Sequence, residues 1–357
     1  MTVRPRAPLA LTAAVLALLT CAPAAAAHGA GVRGGDCSPR AHLDGYSDAF
    51  DKAEHKGHTV GGISAIAPEE GGRLAALSDR SALYSLDLRG KRVAGAVPLA
   101  DERGKPLDSE GLVVRRDGSR LVTSENEPSI RRYDESGRLT GRLPVPGMLR
   151  VAPAGRAEQN RTFEGLTAFR GGGHGTALVA SMEGPLKGDG KDARGRPLVR
   201  FQTWDRHGRP GQQWAYPVDT DLGPEGPGVS ETAATGDGRL LVLERGFDKE
   251  KGNTVRLYLA DPRRAQDVRP VEKLTGAEAP VRKTLLADLG RCPDLGAHHP
   301  GRQTNPLLDN IEAMTVTGRA HGGGVHDGGL RVLLASDDNE SAQQVTRLYG
   351  LTVRPPR

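Results

Sequence analysis

From residue 62 onward, short apolar runs alternate with polar turns, and none extends into a sustained helical period. Five stretches share one layout. A run opens on an acid or hydroxyl residue, a turn rich in Gly or Asp-Gly follows, a more apolar run ends at an acid, and a third run carries Arg and an aromatic. The first stretch is Gly62-Ile-Ser-Ala-Ile-Ala67, Arg73-Leu-Ala-Ala-Leu-Ser-Asp-Arg80 and Ala82-Leu-Tyr-Ser-Leu-Asp-Leu88. The second is Ser109-Glu-Gly-Leu-Val-Val114, Arg120-Leu-Val-Thr-Ser-Glu125 and Ser129-Ile-Arg-Arg-Tyr-Asp134. The third is Phe163-Glu-Gly-Leu-Thr-Ala168, Thr176 to Glu183 and Leu198 to Asp205. The fourth is Ser230-Glu-Thr-Ala-Ala234, Arg239-Leu-Leu-Val-Leu-Glu-Arg245 and Thr254 to Leu259. The last is Ile311-Glu-Ala-Met-Thr-Val316, Leu330 to Asp338 and Val345 to Leu351.

Short runs joined by Asp-Gly turns predict antiparallel hairpins, and the continuous apolar second runs predict strands buried on both faces. Units beginning at 64, 110, 164, 231 and 312 are separated by 46, 54, 67 and 81 residues. Blade-length repeats with loop insertions predict an all-β chain folded as a β-propeller, against a β-sandwich or β-helix as the rival. Six blades are expected, with five or seven as the alternatives: the five clear repeats plus a degenerate one using residues 270–296, or a blade completed from both termini. The propeller domain is placed at 58–352, behind an N-terminal extension, 28–57.

In a propeller the first strands line a central channel, so matched positions form a ring. Here the matched positions are Ser64, Glu110, Glu164, Glu231 and Glu312, then Asp79, Glu125, Glu183, Glu244 and the Asp337-Asp338 pair. So many like charges cannot all stay ionised together without compensation. A set of oxygen donors suits calcium, which takes about 6–8 oxygen ligands; no organic cofactor is indicated. The competing reading is that each acid caps a turn or pairs with a repeat Arg. Arg80 and Arg245 directly follow acids, and either hold those acids or bind an anionic substrate group.

Composition narrows the chemistry. Gly (48) and Pro (25) are abundant, as a turn-rich chain of short strands requires. The net charge of +5 is spread over scattered arginines such as Arg115-Arg116, Arg131-Arg132 and Arg263-Arg264, with few aromatics between them. That distribution reads as solvated surface rather than a nucleic-acid face. No Gly-x-Ser-x-Gly elbow and no His-Glu-x-x-His motif occurs, so a serine esterase or a zinc hydrolase has no support in sequence. His28, His42, His55, His58, His174, His207, His298 and His299 lie outside the repeats, and His321 and His326 sit in a glycine-rich loop.

Residues 1–27 run from Arg4 and Arg6 through an apolar stretch to Ala-Ala-Ala-Ala27, the layout of a secretory signal peptide. The apolar stretch is shorter than the ~20 residues of a membrane span. A lipoprotein anchored at Cys21 is the alternative, disfavoured by Thr20 before it. A secreted chain keeps Cys37 and Cys292, an even pair that predicts one disulfide, the alternative being two free thiols.

The strings Leu77-Ser-Asp-Arg80, Ser109-Glu-Gly-Leu112, Thr123-Ser-Glu125, Phe163-Glu-Gly-Leu166, Leu240-Leu-Val-Leu-Glu-Arg245, Asn310-Ile-Glu312 and Ala335-Ser-Asp-Asp-Asn339 resemble, in order, the phytase-like family described as "esterase-like activity of phytase". The resemblance covers about residues 58–352. It implies an extracytoplasmic bacterial propeller, related in name to calcium-dependent phytases, that hydrolyses phosphate or carboxylic esters. Carried over by position, Glu110, Glu125, Glu164, Glu231, Glu244, Glu312 and Asp338 become site residues. Two places depart from the pattern: Ser230-Glu231, where the family often has Ser-Asp, and Glu312-Ala313, where it has Glu-Gly.

The sequence thus leads to a secreted, monomeric hydrolase of small esters or phosphoesters. Its metal set is Asp79, Glu110, Glu125, Glu164, Glu183, Glu231, Glu244, Glu312, Asp337 and Asp338, with Glu164, Glu312, Arg80 and Arg245 in catalysis. The alternative is a non-catalytic, calcium-stabilised propeller that presents rim loops to a ligand or partner.

Overall fold

In a computed structural model, which describes Met1 and residues 34–169, 176–320 and 328–356, the repeats become five antiparallel sheets arranged as the blades of a propeller. Blade 1 contains Ile63–Pro68, Leu74–Ser78, Ala82–Asp87 and Arg92–Pro98. Blade 2 contains Ser109–Val114, Arg120–Ser124, Ser129–Tyr133 and Leu139–Leu143. Blade 3 contains Phe163–Ala168, Thr176–Met182, Leu198–Asp205 and Pro210–Pro217. Blade 4 contains Glu225–Ala234, Leu240–Asp248, Gly252–Asp261 and Arg282–Asp288. Blade 5 contains Asn310–Arg319, Leu330–Asp337 and Leu348–Val353, and is completed by Ala41–Ser47 and Gly35–Ser38 from the other end of the chain.

The first strand of each blade is innermost, and each touches the first strand of the next blade around a closed ring. The second strands are the most buried, as their apolar sequences require; Leu74–Ser78 has no exposed residue. Tight Asp-x-x-Gly turns link outer strands. At one of them Asp134 Oδ1 accepts the N–H groups of Ser136 and Arg138 while Gly137 takes a left-handed φ of 81°.

The core lies between blades. Phe163, Leu166 and Trp204 of blade 3 pack on Leu121 and Ile130 of blade 2, and equivalent clusters fill the other four junctions. Burial of each such side chain contributes roughly 1.5–3 kcal/mol.

The expected sixth blade is absent among the described residues. Arg282–Asp288, within the stretch expected to build it, is instead the outermost strand of blade 4. Closure from both termini does occur, inside blade 5, where Ala41–Ser47 pairs with Leu348–Val353. Residues 35–47, read from sequence as an extension, therefore belong to the ring. Cys37 and Cys292 form the expected disulfide, joining the edge of blade 5 to the turn after blade 4. No helix among the described residues is long and apolar enough to cross a membrane. The signal peptide, Cys21, His28, His174, His321 and His326 lie outside the described residues.

Candidate metal centre in the propeller channel

One backbone irregularity recurs in every innermost strand, and it sets the site. In blade 1 Ile63 pairs with Ser78 and Ala65 with Leu77, so Ser64 is skipped by the ladder. Blade 5 skips Glu312 between Ile311 and Ala313, and blade 3 skips Glu164 and Gly165. Blade 2 skips Glu110 and Gly111. A bulge of this kind frees the extra residue from pairing and re-aims its side chain. Across the bulge, the residue before the skipped segment pairs with Ser78, Ser124, Met182 or Ser336 of the second strand, and the next residue is Asp79, Glu125, Glu183 or Asp337.

Blade 4 follows the same geometry with different residues. Val229 pairs with Glu244 and Glu231 with Leu243, so the skipped residue is Ser230 and the residue after the second strand's matched end is Arg245. The matched positions of this blade thus lie one residue from the Glu231 and Glu244 expected from the repeat. The ring is therefore Ser64, Glu110, Glu164, Ser230 and Glu312, with Asp79, Glu125, Glu183, Arg245 and Asp337 around it.

This shift explains where the remaining expected ligands go. Glu231 accepts N–H groups from Leu166 (3.1 Å) and Thr232 (2.8 Å), so its carboxylate ties blade 4 to blade 3. Glu244, fully buried, accepts from Tyr216 Oη at 2.6 Å, from Lys283 Nζ at 2.5 Å and from the Asp219 N–H at 2.9 Å. Asp338 pairs with Lys52 and accepts the Gly62 N–H at 2.9 Å. Lys52 and these backbone donors outweigh burial and hold it below the usual carboxylate range. Arg80 is exposed and pairs with Glu340 at 2.5 Å. These four residues are occupied elsewhere, and the structure does not bring them into the ring's cluster.

What the ring does bring together is two carboxylate triads. Oxygens of Asp108, Glu110 and Glu125 lie within 4.8 Å of one another, as do oxygens of Glu125, Glu164 and Glu183. Asp108 was missed in sequence. The signal was its place two residues before Glu110, but it precedes the strand and so falls outside the repeat frame. On the other side of the ring, Arg245 donates to Glu312 Oε1 at 2.5 Å, and Asn310 Nδ2 donates to the same oxygen at 3.0 Å. A cleft of about 410 Å³ opens beside that pair, lined by Asn253, Gln303, Gln344 and Arg302.

The family described as "Esterase-like activity of phytase" matches residues 58–340, most of the chain and all of this ring. The chain belongs to the phytase-like family. No curated protein matches its sequence. Among solved structures it is similar to virginiamycin B lyase from Staphylococcus aureus, at 11% identity and a TM-score of 0.36, over 88% of this chain and 77% of that one. It is also similar to a streptogramin B lyase, at 10% identity and a TM-score of 0.37, over 87% and 97% of the two chains. Likeness at that level carries no argument about chemistry.

The electrostatics of the phytase-like ring follow from crowding. Burial, then the charges of Glu183 and Asp108, pushes Glu125 up to about 8. Burial and the neighbouring carboxylates also raise Glu110 and Glu164 well above the usual range, and burial raises Glu183 and Asp108. Burial alone lowers the Arg245 value, but Glu312, Glu183, Glu164 and Asp337 outweigh it and hold the guanidinium protonated. One atom decides the fit to a cation. Glu125 is 8% exposed, and its Oε1 is buried with no hydrogen-bond partner. A buried carboxylate oxygen without a donor costs free energy unless something positive meets it. The all-oxygen donor set to which Glu125 belongs fits a hard divalent cation.

Proposed function

We propose that this phytase-like propeller is an exported, cation-dependent hydrolase of small phosphate esters, with calcium as the cation. The observation that carries the reading is Glu125, which belongs to both carboxylate triads and keeps one buried oxygen without a partner. Asp108, Glu110, Glu125, Glu164 and Glu183 would hold the ion. Bound there, calcium supplies the charge that offsets the carboxylates and polarises a phosphoryl oxygen.

The chain's own residues divide the remaining work. Arg245 is the ring's cationic position, one blade beyond the triads, and its guanidinium binds the phosphate and stabilises charge that builds on it. Glu312 fixes that guanidinium's orientation through the bond at 2.5 Å, and Asn310 steadies the same carboxylate oxygen by donating to it at 3.0 Å. Burial, then the charge of Glu312, raises Asp337 well above the usual carboxylate range, so its carboxyl keeps a proton. Water attacks the phosphorus as the P–O bond to the alcohol breaks; the Glu164 carboxylate takes the water's proton, and the Asp337 carboxyl gives its own to the departing alcohol oxygen. The amide-lined cleft beside Arg245 receives the alcohol portion of the ester. Arg80, paired on the rim, takes no part. The disulfide fits an oxidising compartment, which supports export.

Assays of p-nitrophenyl phosphate, p-nitrophenyl acetate and phytate with calcium and with EDTA test the reading. Phosphatase activity that needs calcium and falls by about a hundredfold or more in Arg245→Gln is the expected result. Activity that survives chelation rules it out. A protein that binds calcium but turns over no substrate is instead the non-catalytic, cation-stabilised propeller.

A further inference from the structure

The inner strand of blade 2 carries an acid near one end and leads to arginines at the other. Ser109–Val114 begins beside Glu110 and runs directly into Arg115 and Arg116. Arg132 lies near the same end of blade 2, and Arg206 follows the end of Leu198–Asp205 in blade 3. All four line one cleft of about 610 Å³ between blades 2 and 3. In sequence these arginines look scattered; the fold collects them.

The acids nearby do not neutralise them. Asp205 lines the cleft too, but its Oδ1 accepts the His207 and Arg209 N–H groups, and its Oδ2 accepts Arg209 Nε at 2.8 Å. Arg115 reaches Asp117 only at 3.9 Å, and Arg206 Nε donates to His207. Among the described residues, no acidic partner is found for Arg116, Arg132 or Arg206, and Arg132 Nε is buried with no hydrogen-bond acceptor. Four guanidinium groups around one concavity repel each other unless an anion sits between them, and their planar forks match the oxygens of phosphate or sulfate groups.

We propose that this cleft is an anion site, distinct from the acidic ring, that binds a ligand carrying two or more clustered phosphate-type groups. Its position at the far end of the strands leaves the ring free while the cleft is filled. The chemistry is shared by a small free oligoanion and by a polymer of repeating phosphates.

Titration of EDTA-treated full-length protein with tripolyphosphate and, separately, with long-chain polyphosphate tests the site, because chelation removes the cation by which the ring could hold phosphate. Saturable binding of tripolyphosphate is expected, weakened about tenfold by Arg132→Gln and by the double variant Arg116→Gln/Arg206→Gln, and weakened by added salt. Binding of the long chain alone, with the same sensitivity to these variants, also supports the site and identifies a polymer as its ligand. Arg116 and Arg206 are exposed, so the double variant tests the site without disturbing the core. Three results overturn the proposal: neither probe binds, binding is unchanged in the double variant, or binding is lost in Glu125→Gln instead.

Discussion

Glu125 belongs to both triads, and its consequences can be measured one residue at a time. Its folded value of about 8 lies above the ordinary carboxylate value. Such a group favours folding most below its unfolded value and loses that contribution as the pH rises through the folded one. Chelated protein should therefore melt at falling temperatures as the pH is raised from about 5 to about 9, and calcium should flatten the decline. A melting temperature that is flat or rising without calcium would contradict the crowding of these acids. Arg245 behaves oppositely. Its loss leaves Glu312 with an unmatched buried charge, so Arg245→Gln should cost about 3 kcal/mol in urea unfolding, most of it regained in the double variant with Glu312→Gln. At this scale the sequence exposed the acids of blades 1, 2, 3 and 5, because each ends an apolar run. It hid Asp108, which precedes its strand, and the place of Arg245 in the ring, because Glu244 stands next to it and looks like the repeat's acid.

The bulge is the element that turns an ordinary hairpin into a site. Glycine after the acid lets neighbouring inner strands approach. A Cβ on Gly165 would lie 2.5 Å from the Thr232 nitrogen and 2.6 Å from Glu231 Oε1, and one on Gly111 would lie 2.7 Å from the Glu164 carbonyl oxygen. Gly165→Ala should therefore lower stability by about 2 kcal/mol and weaken calcium binding together, since the same backbone aims Glu164. Thermal melts beside calorimetry check this; an unchanged calcium affinity would separate the bulge from the site. Where blade 5 has Ala313 instead, that residue is fully buried and accommodated. The first three strands of each blade were legible as apolar runs. Outer strands such as Leu139–Leu143 and Arg92–Pro98 were not, because a half-exposed edge strand needs few apolar residues. The one-residue offset in blade 4 was invisible for a related reason: a bulge changes register without changing composition.

Across the whole molecule, closure depends on chain ends that are distant in sequence. Ala41–Ser47 completes blade 5, and the disulfide spans 255 residues to fasten its edge. In the chain-entropy description a loop of that length is worth about 5 kcal/mol, so Cys37→Ser/Cys292→Ser should lower the melting temperature markedly while leaving calcium affinity close to wild type. The repeat spacing disclosed a propeller but overcounted its blades, since the residues left between repeats read as another unit when they serve as an edge strand and a cross-linked turn. At blade 2 the inner strand also separates charge, with Glu110 near one end and Arg115 and Arg116 just past the other. The claim on which all of this rests is that the channel acids hold a divalent cation. Calorimetric titration of calcium into EDTA-treated protein, wild type beside Glu125→Gln, tests it most directly. Saturable binding that weakens at least about tenfold in the variant is the expected result. No binding to the wild type, or equal affinity in both proteins, would contradict it.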